Sequence, residues 1–439
     1  MSRAPARYDR AILALALPAL GALAADPLVS LVDTAIVGRL GATPLAALGV
    51  NTSLFSLAFV AFNFLAYGTT PMVGRALGRG DRQGAGRVVV QALTLAVVAG
   101  VAALVLLQLA AVPLLRAMGA DGALLAPALT YLRIRALAGP ALLLIEASNG
   151  AFRGFLDTRT PLIVTVGLNL VNLVLDPLFI FGFGWGLAGA ALATAIAQWL
   201  GAAGFLLALF TRRGTAIHLP VALPRPRELV PFLRVGGEML LRTGSLVGTQ
   251  ALATAVAARV GVAQVAAHQV AAQLWLFLAL TIDALAVAGQ GLVATYRGGD
   301  RPGDARAVSD RLLLLGLAVG VVLGLGFWAL GPWLPRLFTS DGTVLATVHR
   351  IYPFVVAMQP LNGLVFVWDG IFMGAEAFGF LARAMLVSAA AAVVVLLLVV
   401  PMGWGLTGVW WGLVTLIVVR ALTQGWKYWG SRPLLPREA

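Results

Sequence analysis

The polar residues that could carry chemistry in this chain lie inside long apolar segments. Asn169, Asn172 and Asp176 follow one another at spacings of three and four residues, which places them on one face of a helix. Asp26 and Asp33 are seven residues apart, which is two helical turns, so they share a face of another segment. Carboxylates beside amide groups can carry a proton or coordinate sodium through hard oxygen ligands. The pattern predicts a cation-coupling site.

Further polar groups in the apolar segments extend this predicted site. Asn149 and Thr194 add neutral oxygens, and sodium could be coordinated by Asp33, Asn172, Asp176 and Thr194. The other carboxylates and the amide in these segments are Asp26, Glu146, Asn169, Glu238, Asp283 and Asp369. All of them except Glu146 are secondary candidates for cation coupling. Each could instead hold helices together through hydrogen bonds.

The sequence contains no recognisable arrangement for catalysis or for a cofactor. Cysteine is absent, which excludes disulfides and thiolate metal sites. His218, His268 and His349 are too far apart in sequence to form a metal-binding motif. The glycine-rich stretch 78–86 lacks the lysine of a phosphate-binding loop, and neither His-Glu-x-x-His nor Gly-x-Ser-x-Gly occurs. We expect neither an enzyme, nor a cofactor, nor a resident metal ion.

The composition shows which elements must position these residues. The chain has 439 residues, of which 60% are hydrophobic and 11% charged, with a mean hydropathy of +0.93. Soluble domains are about 45–50% apolar and about 25% charged. Since one membrane crossing needs about 20 apolar residues, the length accommodates about a dozen helices. We predict an all-α integral membrane protein with twelve transmembrane helices.

The basic residues predict the orientation rather than a nucleic-acid partner. The formal net charge is +13, but the arginines are spread over short loops. With the N-terminus inside, 22 of the 31 basic residues fall on the inner side and 4 on the outer side. This bias is typical of the positive-inside rule. We expect both termini to be cytoplasmic.

An internal repeat divides the chain into two halves. Pro140 pairs with Pro360 at an offset of 220, and Gly-Trp-Gly-Leu occurs at both 184–187 and 403–406. Two six-helix halves of the same orientation follow, as in transporters built from parallel repeats.

The predicted boundaries of the two halves follow from this repeat. They are an N-lobe over residues 1–210, a cytoplasmic loop over 211–234 and a C-lobe over 235–439. The halves do not share the polar residues: Asp33 and Asp176 correspond to Ala253 and Val395. This asymmetry favours a functional role for the two aspartates.

Three segments resemble motifs of the multidrug and toxic compound extrusion (MATE) family. The first-helix motif is similar to residues 31–40 (LVDTAIVGRL), the fifth-helix motif to 169–177 (NLVNLVLDP) and the sixth-helix motif to 186–194 (GLAGAALAT). The resemblance covers essentially the whole chain. Asp283, together with the first-helix motif, indicates the DinF-like branch of the family.

The resemblance implies a fold, a function and a set of site residues. Its fold has two pseudo-symmetric six-helix lobes, and its members expel organic cations and other amphipathic compounds in exchange for protons or sodium. Pro18 matches the proline at which the first helix is proposed to bend. The family's N-lobe cation site matches Asp33, Asn149, Asn172, Asp176 and Thr194. The resemblance also implies a monomer in a bacterial or archaeal plasma (inner) membrane, with small amphipathic substrates and the lipid bilayer as its partners.

Two other functions are alternatives to drug antiport. A flippase for a lipid-linked substrate of the same superfamily would need a basic cavity, whereas the in-span arginines are few and scattered. An intramembrane enzyme would need catalytic motifs that the sequence lacks. The hypothesis is a cation-coupled efflux antiporter driven by protons, with sodium as the alternative.

Overall fold

The computed structural model describes residues 5–211, 224–430 and 434–435, and in these ranges it contains helices and no strands. The predicted all-α class is confirmed. The α-helices are Pro5–Gly38 (α1), Ala42–Val60 (α2), Phe64–Gly78 (α3), Arg82–Leu109 (α4), Ala111–Ala117 (α5), Leu125–Ala136 (α6), Gly139–Gly154 (α7), Arg159–Pro177 (α8), Gly186–Thr211 (α9), Pro226–Val260 (α10), Val262–Gly298 (α11), Pro302–Leu330 (α12), Gly342–Ala357 (α13), Gln359–Gly374 (α14), Phe378–Val399 (α15) and Gly405–Trp429 (α16).

The helices account for the twelve predicted spans. Nine segments in the described ranges are long and apolar enough to cross a membrane, with α2 and α3 forming one of them. Two bent pairs, α6 with α7 at 48° and α13 with α14 at 51°, bring the number to eleven. Helix α10 is also long, at 35 residues, but it is more polar. Counted with α10, the long helices and bent pairs of the described ranges number twelve, as predicted.

Helix α10 begins earlier than the sequence indicated. The predicted inter-lobe loop extends to residue 234, whereas residues 226–234 already belong to α10. Pro226 begins the helix, where its missing N–H costs nothing, and Glu228 in the first turn complements the helix dipole. Residues 212–223 of that loop lie outside the described residues.

The described residues form two compact units. The N-unit comprises those within Leu17–Gly236, and the C-unit comprises those within Met1–Ala16 and Gly237–Ala439. Helix α1 therefore begins in the C-unit and continues in the N-unit. Each unit has its own apolar core, formed around Leu115 and Leu132 in the N-unit and around Leu278 and Trp410 in the C-unit.

Corresponding glycines let helices approach closely within each unit. A Cβ added to Gly100 on α4 would lie 2.5 Å from Cα of Pro140 on α7. A Cβ added to Gly320 on α12 would lie 2.9 Å from Cα of Pro360 on α14. Both residues of the second pair follow those of the first by 220 positions (320 − 100 and 360 − 140). The sequence repeat is thus also a repeat of helix packing.

Replacing Gly320 with alanine is expected to lower the free energy of unfolding by about 1–3 kcal/mol, because the new methyl group overlaps α14. Gly326→Ala on the same helix is the matched control, since no atom lies within 4 Å of its Cβ position. It should be neutral or slightly stabilising. Tryptophan-fluorescence melting curves in detergent measure both variants. Equal melting temperatures for the two variants would contradict this account of the packing.

Candidate functional site

A cavity of about 290 Å³ in the N-unit gathers most of the predicted site residues. Helix α1 supplies Asp26 and Asp33 to its wall, α7 supplies Glu146 and Asn149, and α9 supplies Thr194. Helix α8 adds Asn169 and Asn172. The cavity is therefore lined by acidic, amide and hydroxyl groups within an otherwise apolar set of helices.

The decisive contact at this site joins the two predicted aspartates. The carboxyl groups of Asp33 on α1 and Asp176 on α8 lie in hydrogen-bonding contact. Asp176 is only 1% exposed, and no N–H or O–H group of the described residues donates to its Oδ1. Two carboxylates this close in a poorly hydrated place repel each other, and they share a proton as a pair. The arrangement can take up and release a proton.

Asn172 holds the aspartate pair in place from α8. With the amide oriented so that both of its neighbours are satisfied, Nδ2 lies 3.2 and 3.3 Å from the two carboxylate oxygens of Asp33. The other amide atom is 3.3 Å from Oγ1 of Thr194 on α9. Asn172 is 3% exposed, so it links three helices around the carboxyl groups.

A second polar contact lies along the same two helices. Nδ2 of Asn169 on α8 donates to Oδ1 of Asp26 on α1 at 2.8 Å. Both residues precede the Asp33–Asp176 pair by seven positions (33 − 26 and 176 − 169). Two turns of helix therefore separate two equivalent contacts between α1 and α8. The family motifs do not cover Asp26, yet the structure brings it to the same cavity wall.

The cavity also holds a positive charge that the sequence analysis did not place there. Arg135 on α6 lines the cavity and donates to Oε1 of Gln198 at 2.6 Å. The guanidinium carbon of Arg135 lies 5.3 Å from the ring centroid of Phe55. The charged guanidinium group also interacts electrostatically with Asp33. An arginine inside a predicted span was the only available signal, since the sequence does not show which way the side chain points.

Asp369, a secondary candidate, lies in a buried ion cluster of the C-unit. Its Oδ2 accepts hydrogen bonds from Arg242 on α10 and Arg420 on α16, both at 2.5 Å. Its Oδ1 accepts from Gln424 at 2.6 Å. With both oxygens accepting hydrogen bonds and two arginines beside it, the carboxylate of Asp369 is already neutralised by the side chains around it.

The remaining sequence candidates lie outside the N-unit cavity. Asp283 on α11 interacts electrostatically with Arg420 of the ion cluster, and Glu238 lies against Gly379 of α15. Pro18 lies within α1, which continues as a helix through it and through Pro27. Among the described residues, no group of three or more His, Asp or Glu side chains is arranged to hold a metal ion.

A family model described as MatE matches residues 18–178 and 243–399, one stretch from each half of the chain. The chain belongs to the MATE family. It is 37% identical to protein DETOXIFICATION 44, chloroplastic, of Arabidopsis thaliana over 95% of this chain and 81% of that protein. It is 30% identical to DNA damage-inducible protein F of Escherichia coli (strain K12), covering 94% and 91% of the two chains.

A solved structure supports the same family fold. A crystal structure of a MATE protein in the straight conformation superimposes with a TM-score of 0.88 over 95% of both chains, at 22% sequence identity. Membership establishes a multi-pass membrane transporter of toxic compounds that binds small organic molecules. MATE proteins are transporters rather than enzymes, and they need no cofactor.

Proposed function

We propose that this MATE chain is a secondary active antiporter that exports organic cations and other amphipathic toxic compounds in exchange for protons. The contact between Asp33 and Asp176 in the N-unit cavity carries the proposal. Ionised carboxyl groups attract an organic cation, and protonation removes that attraction. Proton and substrate then favour different states of the protein, which is the condition for exchange.

The geometry favours a proton over sodium as the coupling ion. Two carboxyl groups in hydrogen-bonding contact can share one proton between them. A sodium ion at Asp33, Asn172, Asp176 and Thr194 would need the amide oxygen of Asn172 as a ligand, whereas its N–H group faces Asp33.

Helix α1 connects proton binding to a change of shape in this proposal. Pro18, like Pro27, cannot donate a hydrogen bond to the carbonyl four residues before it, so the helix is weakened there. The boundary between the two compact units falls at Ala16–Leu17, next to this proline. Protonation of Asp33 would weaken its hold on Asn172 and allow α1 to bend at Pro18.

The lipid flippase is less well supported by the cavity. A phosphate-bearing lipid needs several positive charges for binding. Among the cavity-lining residues of the N-unit, Arg135 faces three carboxylates, Asp26, Asp33 and Glu146. This excess of negative charge favours a cationic substrate.

Ethidium transport into proteoliposomes tests the proposal directly. An imposed pH gradient should drive ethidium movement in sodium-free buffer, and each transported ethidium should be accompanied by measurable proton movement. A requirement for a sodium gradient would shift the coupling ion to sodium. Failure of both gradients to drive any organic cation would remove the antiporter proposal and favour the flippase.

The proposed location is a bacterial or archaeal plasma membrane, with a monomer as the working unit and both termini in the cytoplasm. The distribution of the arginines supports this orientation. In alternating access, the proposed lobes are residues 1–210 and 235–439.

The absence of cysteine allows the orientation to be tested cleanly. Arg79→Cys and Arg39→Cys replace two exposed arginines near helix ends that are predicted to lie on opposite sides. In intact cells, a membrane-impermeant maleimide should label the cysteine at position 39 and leave the one at position 79 unlabelled. Inverted vesicles should give the opposite result. The reverse pattern in both preparations would place the termini outside.

A further inference from the structure

Arg135 is the positively charged side chain among the described residues that line the N-unit cavity. Three lining residues carry carboxyl groups, namely Asp26, Asp33 and Glu146. Neither proton exchange nor the attraction of an organic cation requires an arginine at this place. A positive charge repels every cation that enters the cavity, so its presence needs a reason of its own.

Contacts with three helices hold the guanidinium group of Arg135 at the cavity wall. Its Nη1 donates to Oε1 of Gln198 on α9 at 2.6 Å, and its Cζ lies 5.3 Å from the ring centroid of Phe55 on α2. The group is also in hydrogen-bonding contact with Tyr131, one turn earlier on α6. All three partners line the same cavity. The positive charge is therefore fixed at this wall.

The charges of the cavity differ between its two ends. Asp33 on α1 interacts electrostatically with Arg135. Asp26 lies two turns earlier on α1, which is about 10 Å along the helix axis, and it interacts electrostatically with Glu146 on α7. The positive charge of Arg135 is thus placed near the Asp33 end, and the Asp26–Glu146 end is the more negative part of the lining.

The surroundings of Arg135 favour a fixed charge over a binding site for a ligand carboxylate. Arginine can bind a carboxylate through two N–H groups. Here a ligand carboxylate would compete with the amide oxygen of Gln198 and with Asp33 for the guanidinium group. Repulsion from Asp26 and Glu146 in the same cavity would weaken its binding further. The charge of Arg135 therefore acts mainly on the cations that the cavity attracts.

We propose that Arg135 determines specificity, by making the N-unit cavity favour compounds with one positive charge over compounds with two. This inference rests on the proposed export of organic cations. Each ligand charge loses hydration in the cavity, and attraction to the carboxyl groups must offset that loss. One charge can lie at the Asp26–Glu146 end, whereas a second charge must lie nearer to Arg135 in a cavity of about 290 Å³. Repulsion by the arginine leaves the second charge without that compensation.

Ethidium and propidium test this assignment, because they share a ring system and propidium carries an additional quaternary ammonium group. Equilibrium dialysis of the full-length protein in non-ionic detergent, against detergent alone, measures the binding of each dye. Wild type should bind propidium no more tightly than ethidium. Arg135→Gln should bind ethidium about fivefold and propidium about twenty-fivefold more tightly, because one repulsion is removed for each charge. Loss of a purely structural contact would weaken the binding of both dyes.

Arg133→Gln is the matched control, since Arg133 is exposed and lies two residues earlier on the same helix. It should leave the affinities for both dyes unchanged. Arg135→Lys keeps the positive charge and should keep the wild-type ratio of the two affinities. Arg135→Met supplies a second neutral side chain, and melting curves show which variants fold.

Two results would overturn the proposal. One is wild-type binding of propidium that is tenfold or more tighter than that of ethidium, which needs no variant. The other is propidium binding by a folded neutral variant that is no tighter than wild-type binding. Since dialysis involves no ion gradient, the predicted affinities together with a failure of pH-driven transport would refute proton coupling and leave the role of Arg135 in place.

Discussion

Replacing Asp33 with asparagine is expected to reduce proton-driven ethidium transport to the level of protein-free liposomes. Asparagine keeps the size of the side chain and can still hydrogen-bond to Asn172, but it cannot take up a proton. The two side chains can then no longer share a proton, because Asp176 faces an amide instead of a carboxyl group. Transport driven by a pH gradient loses the coupling step that the proposal assigns to the aspartate pair.

Substrate binding and folding should survive the same substitution. Ethidium binding in detergent should weaken by no more than about fivefold, the cost of losing one partly hydrated charge pair. Asp121→Asn, in an exposed loop where Asp121 lies 3.9 Å from Arg116, is the matched control and should transport normally. Gradient-driven transport by Asp33→Asn at the wild-type rate would contradict the proposed site. Retained transport that requires sodium would move the coupling chemistry elsewhere.

The sequence predicted the parts of this site that helical spacing determines. Asn169, Asn172 and Asp176 share a face of α8 because spacings of three and four bring side chains together on any helix. The partners of that face on α1 were also expected, although Asp26 and Asn169 are 143 positions apart and the sequence gave no sign of their direct contact. Contacts between helices depend on how the helices pack, which periodicity does not report.

Two other features of the structure could not be predicted from the sequence, because they too depend on how the helices pack and bend. Arg135 was counted among scattered in-span arginines, yet it points into the cavity. The apolar run over 123–149 is long enough for one continuous span, whereas the structure divides it between α6 and α7. Pro140 accounts for the break, because it lies in the first turn of α7 and has no N–H group to donate to the carbonyl of Ala136, four residues before it. An apolar run shows that a segment crosses the membrane, but not where it bends.

Removing the charge of Asp369 is expected to be the most destabilising change in the C-unit. This carboxylate accepts hydrogen bonds from two arginines, Arg242 and Arg420, which are 8% and 1% exposed. Asp369→Asn leaves both guanidinium groups buried without that partner. Breaking a buried ion pair from one side costs about 3–5 kcal/mol, because the remaining charge is poorly hydrated. We expect a fall of that size in the free energy of unfolding.

Thermal melting in detergent distinguishes this structural role from an ion-coupling role. Asp369→Asn should lower the melting temperature strongly, while Asp121→Asn in its exposed ion pair should change it little, because such pairs contribute about 0–1 kcal/mol. The residual folded Asp369→Asn protein should still couple ethidium transport to protons, since Asp33 and Asp176 are intact. A normal melting curve combined with lost coupling would instead assign Asp369 to the cation pathway. The buried arginines favour a lowered melting temperature with retained coupling, because they already neutralise the negative charge of Asp369 to which a coupling ion would bind.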